Sequence, residues 1–132
     1  MNWLDIVAAT EGLKRLFPDQ PPDLSNVRLH EVTLQQDGPR VTLRLDLAEF
    51  PSNPPFKWAT SRHNCVQITL VLLGIVQIHL DRWSTNNLGA LAIERRDDGT
   101  IDVAFNAPDS RFHGQFEHIR LGELTAYTDS MH

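Results

Sequence analysis

From Val27 onward the apolar residues of this chain recur at every second position, and that period favours strands over helices. The clearest run places Val41, Leu43, Leu45 and Leu47 on one face and Arg40, Thr42, Arg44 and Asp46 on the other. A strand that is dry on one side and wet on the other belongs in an antiparallel sheet. Upstream, Val27 and Leu29 alternate in one phase, Val32 and Leu34 in the opposite one. The slip at His30-Glu31 predicts a β-bulge, because one extra residue turns every later side chain to the other face. Between the two runs, Asp37-Gly38 predicts a hairpin turn.

The same grammar continues downstream. Val66, Ile68, Leu70 and Leu72 alternate while Val71 and Leu73 fill the opposite face, so this strand expects cover on both sides. Gly74 predicts a turn, after which Val76, Ile78 and Leu80 return inward with Gln77, His79 and Asp81 outward. Leu91 and Ile93, the turn Asp97-Asp98-Gly99, and Ile101, Val103 and Phe105 form a further hairpin. Phe112, Gly114 and Phe116 suggest another strand, and the last runs from Ile119 to Tyr127 with a bulge at Gly122.

Ahead of the strands the period differs. Trp3, Ile6 and Val7, then Leu13, Leu16 and Phe17, recur at helical spacing, with Asn2 and Thr10 as candidate N-caps and Gly12 as a place to kink or break. Pro18 must end the helix. The expected architecture is therefore α+β and mostly β. About eight strands form an antiparallel sheet, open or curled, with an N-terminal helix packed on it. The whole chain, 1–132, reads as one domain, helical over 3–17 and β-rich over 24–127. No βαβ spacing supports a parallel sheet.

At 132 residues, 41% hydrophobic and 22% charged, the composition is that of an ordinary globular chain. The longest apolar stretch, Ile68 to Leu80, is interrupted by Thr69, Gly74, Gln77 and His79, too broken for a membrane span. The N-terminus lacks a basic segment before an apolar one, and the single Cys65 cannot form an internal disulfide, so a cytoplasmic protein is expected. A net charge of −5 argues against nucleic acid as partner, since phosphate contacts demand a basic surplus. The one basic doublet, Arg95-Arg96, is followed at once by Asp97-Asp98.

Catalytic chemistry finds little support. Cys65 near His63 has the residue types of a thiol nucleophile pair, but it opens a strongly apolar strand, where a buried, inert thiol is the simpler reading. Zinc would need paired ligand groups, and His30, His63, His79, His113, His118 and His132 are scattered. His79 and Asp81 share a strand face, yet no nucleophile elbow exists beside them. The seven glycines sit singly, so there is no phosphate loop. The expectation is a non-enzymatic protein without metal or cofactor.

Two segments are left for binding a protein partner. Residues 48–63 are irregular and interrupted by three prolines, and residues 81–87 follow the strand ending at Leu80. Long loops without regular structure are often functional, and Trp and Arg are enriched where proteins bind one another. The candidate contact residues are Glu49, Phe56, Trp58 and Arg62 in the first segment and Asp81, Arg82, Trp83 and Asn86 in the second. The competing explanation is that Phe56 and Trp58 simply plug one end of the sheet.

The order of these features resembles the bacterial immunity protein 50 family, found with polymorphic toxin systems. The resemblance rests on Asn2-Trp3, Leu16-Phe17, Pro22, the run Val27-Arg28-Leu29-His30-Glu31-Val32, and Asp37-Gly38-Pro39-Arg40-Val41. It continues through Pro54-Pro55-Phe56-Lys57-Trp58, Val66-Gln67-Ile68, Gly74, Trp83 and Ala126-Tyr127. The Pro-Pro-x-Lys-Trp element and its spacing to Trp83 are the distinctive part. The resemblance implies a cytoplasmic, non-catalytic immunity protein that binds and neutralises a cognate toxin, and it supplies no set of contact residues. The alternative is an adaptor or self-associating domain, for which a homodimer through an open sheet edge would be the sign.

Overall fold

The computed structural model describes residues 2–129. It is built from six antiparallel strands: β1 (Val27–Gln35), β2 (Arg40–Asp46), β3 (Cys65–Asp81), β4 (Leu88–Arg95), β5 (Ile101–Ala107) and β6 (Ser110–Tyr127). Three short helices accompany them: α1 (Trp3–Ile6), α2 (Glu11–Leu16) and α3 (Phe56–Thr60). The strand order is β1-β2-β3-β6-β5-β4, with β4 returning to β1. The ladder at that last junction is two pairs long, Val27↔Gly89 and Arg28↔Leu88, flanked by Leu29 N–H to the Asn87 carbonyl and Leu91 N–H to the Leu24 carbonyl, so the sheet curls to a narrow seam and not to an evenly closed barrel.

Six strands replace the expected eight because two expected breaks are bends. At Gly74 the chain takes φ +65 and continues as the same strand, with a register shift between Ile75 and Gln77. The segments expected at 112–116 and 119–127 are likewise one strand, β6, paired with β3 from Cys65↔Tyr127 to Asp81↔Arg111. The bulges expected at His30 and Gly122 are present as register shifts between Leu29 and Glu31 and between Ile68 and Leu70, the latter opposite Gly122.

The expected N-terminal helix over 3–17 is divided. Residues 7–10 lie outside both helices, and Ala8 bridges in parallel to Arg120 of β6. The Ala8 N–H donates to Ile119 and the Ala8 carbonyl accepts from Leu121, so sheet hydrogen bonds replace the helical ones here. Thr10 stands at the start of α2 without a capping bond. Its hydroxyl instead donates to the Leu4 carbonyl at 3.0 Å, tying the two pieces together. Asn2 likewise makes no side-chain cap. Trp3, Leu4, Ile6 and Leu13 join Leu43, Leu45, Leu70, Phe105, Phe116 and Ile119 in one apolar core, so the N-terminal segment does cover the sheet.

Two burial expectations are corrected. Asp46, placed on a wet face by its alternation, is only 4% exposed because neighbouring polar side chains close over it. Val76, Ile78 and Leu80, expected inside, are exposed because β3 runs beyond the end of β2, whose last partner on it is Leu73 opposite Arg40.

Candidate functional site

Among the described residues a polar network forms where β1, β2, β3 and β6 bring four distant residues together. Asp46 ends β2, opposite Arg28 of β1 and Gln67 of β3. Tyr127 ends β6 opposite Cys65. The bulge in β1 brings His30 to the same carboxylate. Tyr127 donates its hydroxyl to Asp46 Oδ2, Gln67 Nε2 donates to Oδ1 at 3.0 Å, and His30 Nε2 donates to Oδ2 at 2.7 Å. Burial penalises the charge on Asp46, but the three donors outweigh it and hold the carboxyl below its ordinary range. Burial, with the bond to Asp46 second, pushes the Tyr127 hydroxyl in the opposite direction, so it stays a donor well above neutral pH. Cys65 beside them is buried, and desolvation pushes its thiol up to about 11. A thiol so far from its thiolate form at neutral pH is a poor nucleophile.

His30 also faces outward, lining a concavity of about 580 Å³ with Arg28, Leu29 and residues 83–87. The loop between β3 and β4 forms the other wall. Asn87, 4% exposed, is its anchor. The Asn87 side chain donates to the Ser84 carbonyl at 2.9 Å and accepts from the Ser84 N–H at 3.1 Å, while its backbone carbonyl accepts from Leu29 N–H at 2.9 Å. A loop fixed at its base in this way presents Trp83 to solvent, with 45% of its surface exposed. On the floor, Arg28 sits 3.7 Å from Asp129, and its Nε is buried without a hydrogen-bond partner among the described residues.

The eight candidate contact residues distribute over this frame unevenly. Trp83 and Asn86 line the concavity. Asp81 ends β3 in register with Arg111, and Arg82, at φ +65, reaches Asp109 at 3.6 Å. Phe56 stands 81% exposed on α3, an element the irregular reading of 48–63 did not foresee. Trp58 is half-buried, packed against the core with its ring 6.0 Å from that of Phe50. Arg62, at φ +57, accepts from the Thr128 hydroxyl through its carbonyl. Glu49 belongs to a separate, larger concavity of about 840 Å³ with Trp3, Asp23 and residues 90–94, and accepts from the Asp23 N–H at 2.7 Å. Reading the sequence missed Arg28, His30, Asp46, Asn87 and Tyr127. The signals in advance were the bulge at His30, the turn-forming nature of Asn87, and the place of Arg28, His30 and Tyr127 in the segments that carry the family resemblance.

Chemically the arrangement holds and presents groups. His30 and the Tyr127 hydroxyl meet on the same oxygen of Asp46, each committed to the carboxylate as a donor. No group of three or more His, Cys, Asp and Glu among the described residues could hold a metal ion, and no helix there is long and apolar enough to cross a membrane.

The family model for Immunity protein 50 matches residues 9–127. The chain belongs to the immunity protein 50 family. A search of curated proteins and a search of solved structures each return no match. The match to the immunity protein 50 family spans α2 and every strand from β1 to β6, so the His30–Asp46–Tyr127 network and the Trp83 loop both lie inside it. An immunity family implies, in general terms, that its members bind a cognate toxin.

Proposed function

We propose that this immunity protein neutralises a polymorphic toxin in the cytoplasm by binding it, without catalysis, and that the Trp83 concavity is the centre of the contact. The observation that carries the placement is the combination of an exposed indole with a loop base pinned by buried Asn87. An aromatic anchor held in place before binding loses little freedom on association, which is what makes such residues dominate interfaces. Arg28 adds a cation whose Nε awaits an acceptor. Phe56 and Arg62 form an outer patch. It connects to the concavity through Thr128, bonded to Arg62, and through Asp129, which lies 3.7 Å from Arg28. The net charge of −5 speeds encounter with a basic toxin and makes the on-rate fall with salt.

The test is a pull-down from the native host, then rescue of cells expressing the toxin that co-purifies, with affinity measured for the purified pair. Trp83→Ala weakens binding by at least about tenfold, the ~1.4 kcal/mol or more that separates an anchor from a bystander, and leaves the thermal melt unchanged. Unaltered affinity moves the contact elsewhere on the surface. Absence of any rescue removes the toxin-neutralising role itself.

A further inference from the structure

The second half of β3 is an unpaired sheet edge. Pairing with β2 ends at Leu73, and from Ile75 to Asp81 the strand bonds to β6 on one side only. All six residues from 76 to 81 are exposed, including Val76 at 56% and Leu80 at 50%. Proteins ordinarily blunt such an edge with charge, proline or cover. Residues 74–80 read Gly-Ile-Val-Gln-Ile-His-Leu and contain neither a charged side chain nor a proline. Of the other open edges, β1 beyond its seam with β4 carries Glu31, which pairs with Arg44 at 3.0 Å, and β4 beyond the same seam ends on Glu94 and Arg95.

We infer that this edge pairs with the same edge of a second copy of the chain, antiparallel about a two-fold axis at Ile78. The sequence is self-complementary about that residue. Ile78 meets its own copy, Val76 meets Leu80 of the other chain, and Gln77 meets His79. Residues directly opposite in an antiparallel pair share a face, so apolar pairs collect on one side and polar pairs on the other. A slip by one residue would set Ile78 against His79 and mix the two faces. Charge supports the same register. Arg82 comes opposite Gly74 of the other copy, and over Gly74 lies Glu117, whose carboxylate stands where a Cβ would reach within 2.4 Å. Among the described residues Arg82 pairs with exposed Asp109 at 3.6 Å, a loose contact readily exchanged for the new one. The edge offers only the residues from 74 to 82, fewer than the roughly 20–30 a side of a standard interface, so the dimer depends on concentration. The inference does not rest on the toxin-binding reading.

Sedimentation of the full chain from low-micromolar to submillimolar concentration tests this, with an apparent mass that doubles across the series. Ile78→Lys sets two like charges at the axis and abolishes the doubling while the melt stays in place, because Ile78 is exposed. Ile78→Cys forms an intermolecular disulfide under mild oxidation. Gln77→Cys alone does not, but a mixture of Gln77→Cys and His79→Cys chains does. A chain that remains monomeric throughout overturns the inference and leaves the edge to a strand of another protein. So does a dimer indifferent to Ile78→Lys, or a Gln77→Cys homodimer cross-linked as fast as the one at Ile78.

Discussion

Asp46 stays ionised in a buried position only because Tyr127, Gln67 and His30 all donate to it. Removing one donor therefore costs more than one ordinary hydrogen bond, since the charge left behind is under-solvated. Tyr127→Phe is expected to lower stability by about 1–3 kcal/mol, read by denaturant unfolding at neutral pH. The pH dependence follows from the directions of the shifts. The Asp46 carboxyl titrates lower in the folded chain than in the unfolded one, so its contribution is present above about pH 4 and is lost as pH falls through the folded value. Tyr127 titrates higher when folded, so its contribution is full below about pH 10 and is lost as pH rises through its folded value. Both limbs flatten in Tyr127→Phe. None of this network could be read along the chain. Tyr127 and Asp46 are separated by 81 positions and Gln67 and Asp46 by 21, and only the strand register makes them neighbours. The alternation of β2 did put Asp46 on the outer face. It could not say that the outer face is covered there.

At the scale of elements, the period-two pattern identified nearly every strand residue, and the bulges at His30 and Gly122 followed from phase slips and a glycine. The miscount arose at Gly74, where a left-handed glycine serves a hairpin turn and a bend within a strand equally well. Which of the two forms depends on the partner strand: β6 continues past the bend, so β3 does too. The N-terminal helix fails for a related reason. Its apolar spacing is genuine, but Ala8 finds backbone partners on β6 that local periodicity cannot announce. For the candidate contacts the fold shows exposure and position alone. Trp83 stands exposed as its loop suggested, whereas Trp58 is partly core. Gly74→Ala tests the bend directly. The substitution strains φ +65 and drives a Cβ to 2.6 Å from that of Glu117. The expected loss exceeds about 1 kcal/mol, seen as a lower melting temperature.

For the molecule as a whole, the seam between β1 and β4 is the narrowest junction of the curled sheet. Gly89 stands at it, facing Val27, with so little room that a Cβ would fall 2.1 Å from the Asn106 carbonyl oxygen. That contact is backbone and cannot rotate away. Gly89→Ala is expected to destabilise by roughly 1–3 kcal/mol and to raise amide exchange first at residues 27–29 and 88–91, before the β3–β6 pairing is affected. Uniform loss of protection would show that the seam opens only with global unfolding.

The long pairing of β3 with β6 also fixes the order in which the chain can be finished. Asp81↔Arg111 closes a short excursion, and each later pair back to Cys65↔Tyr127 closes a longer one. A ribosome making this chain releases the most apolar strand, β3, long before its partner exists. Residues 65–73 can meet β2 early, but their other side stays bare until residues 118–127 have emerged. Zippering outward from the tight turn between β5 and β6 is the route with the least loop closure at each step. Until it ends, the nascent chain carries an exposed apolar edge and depends on speed or on a chaperone to escape aggregation.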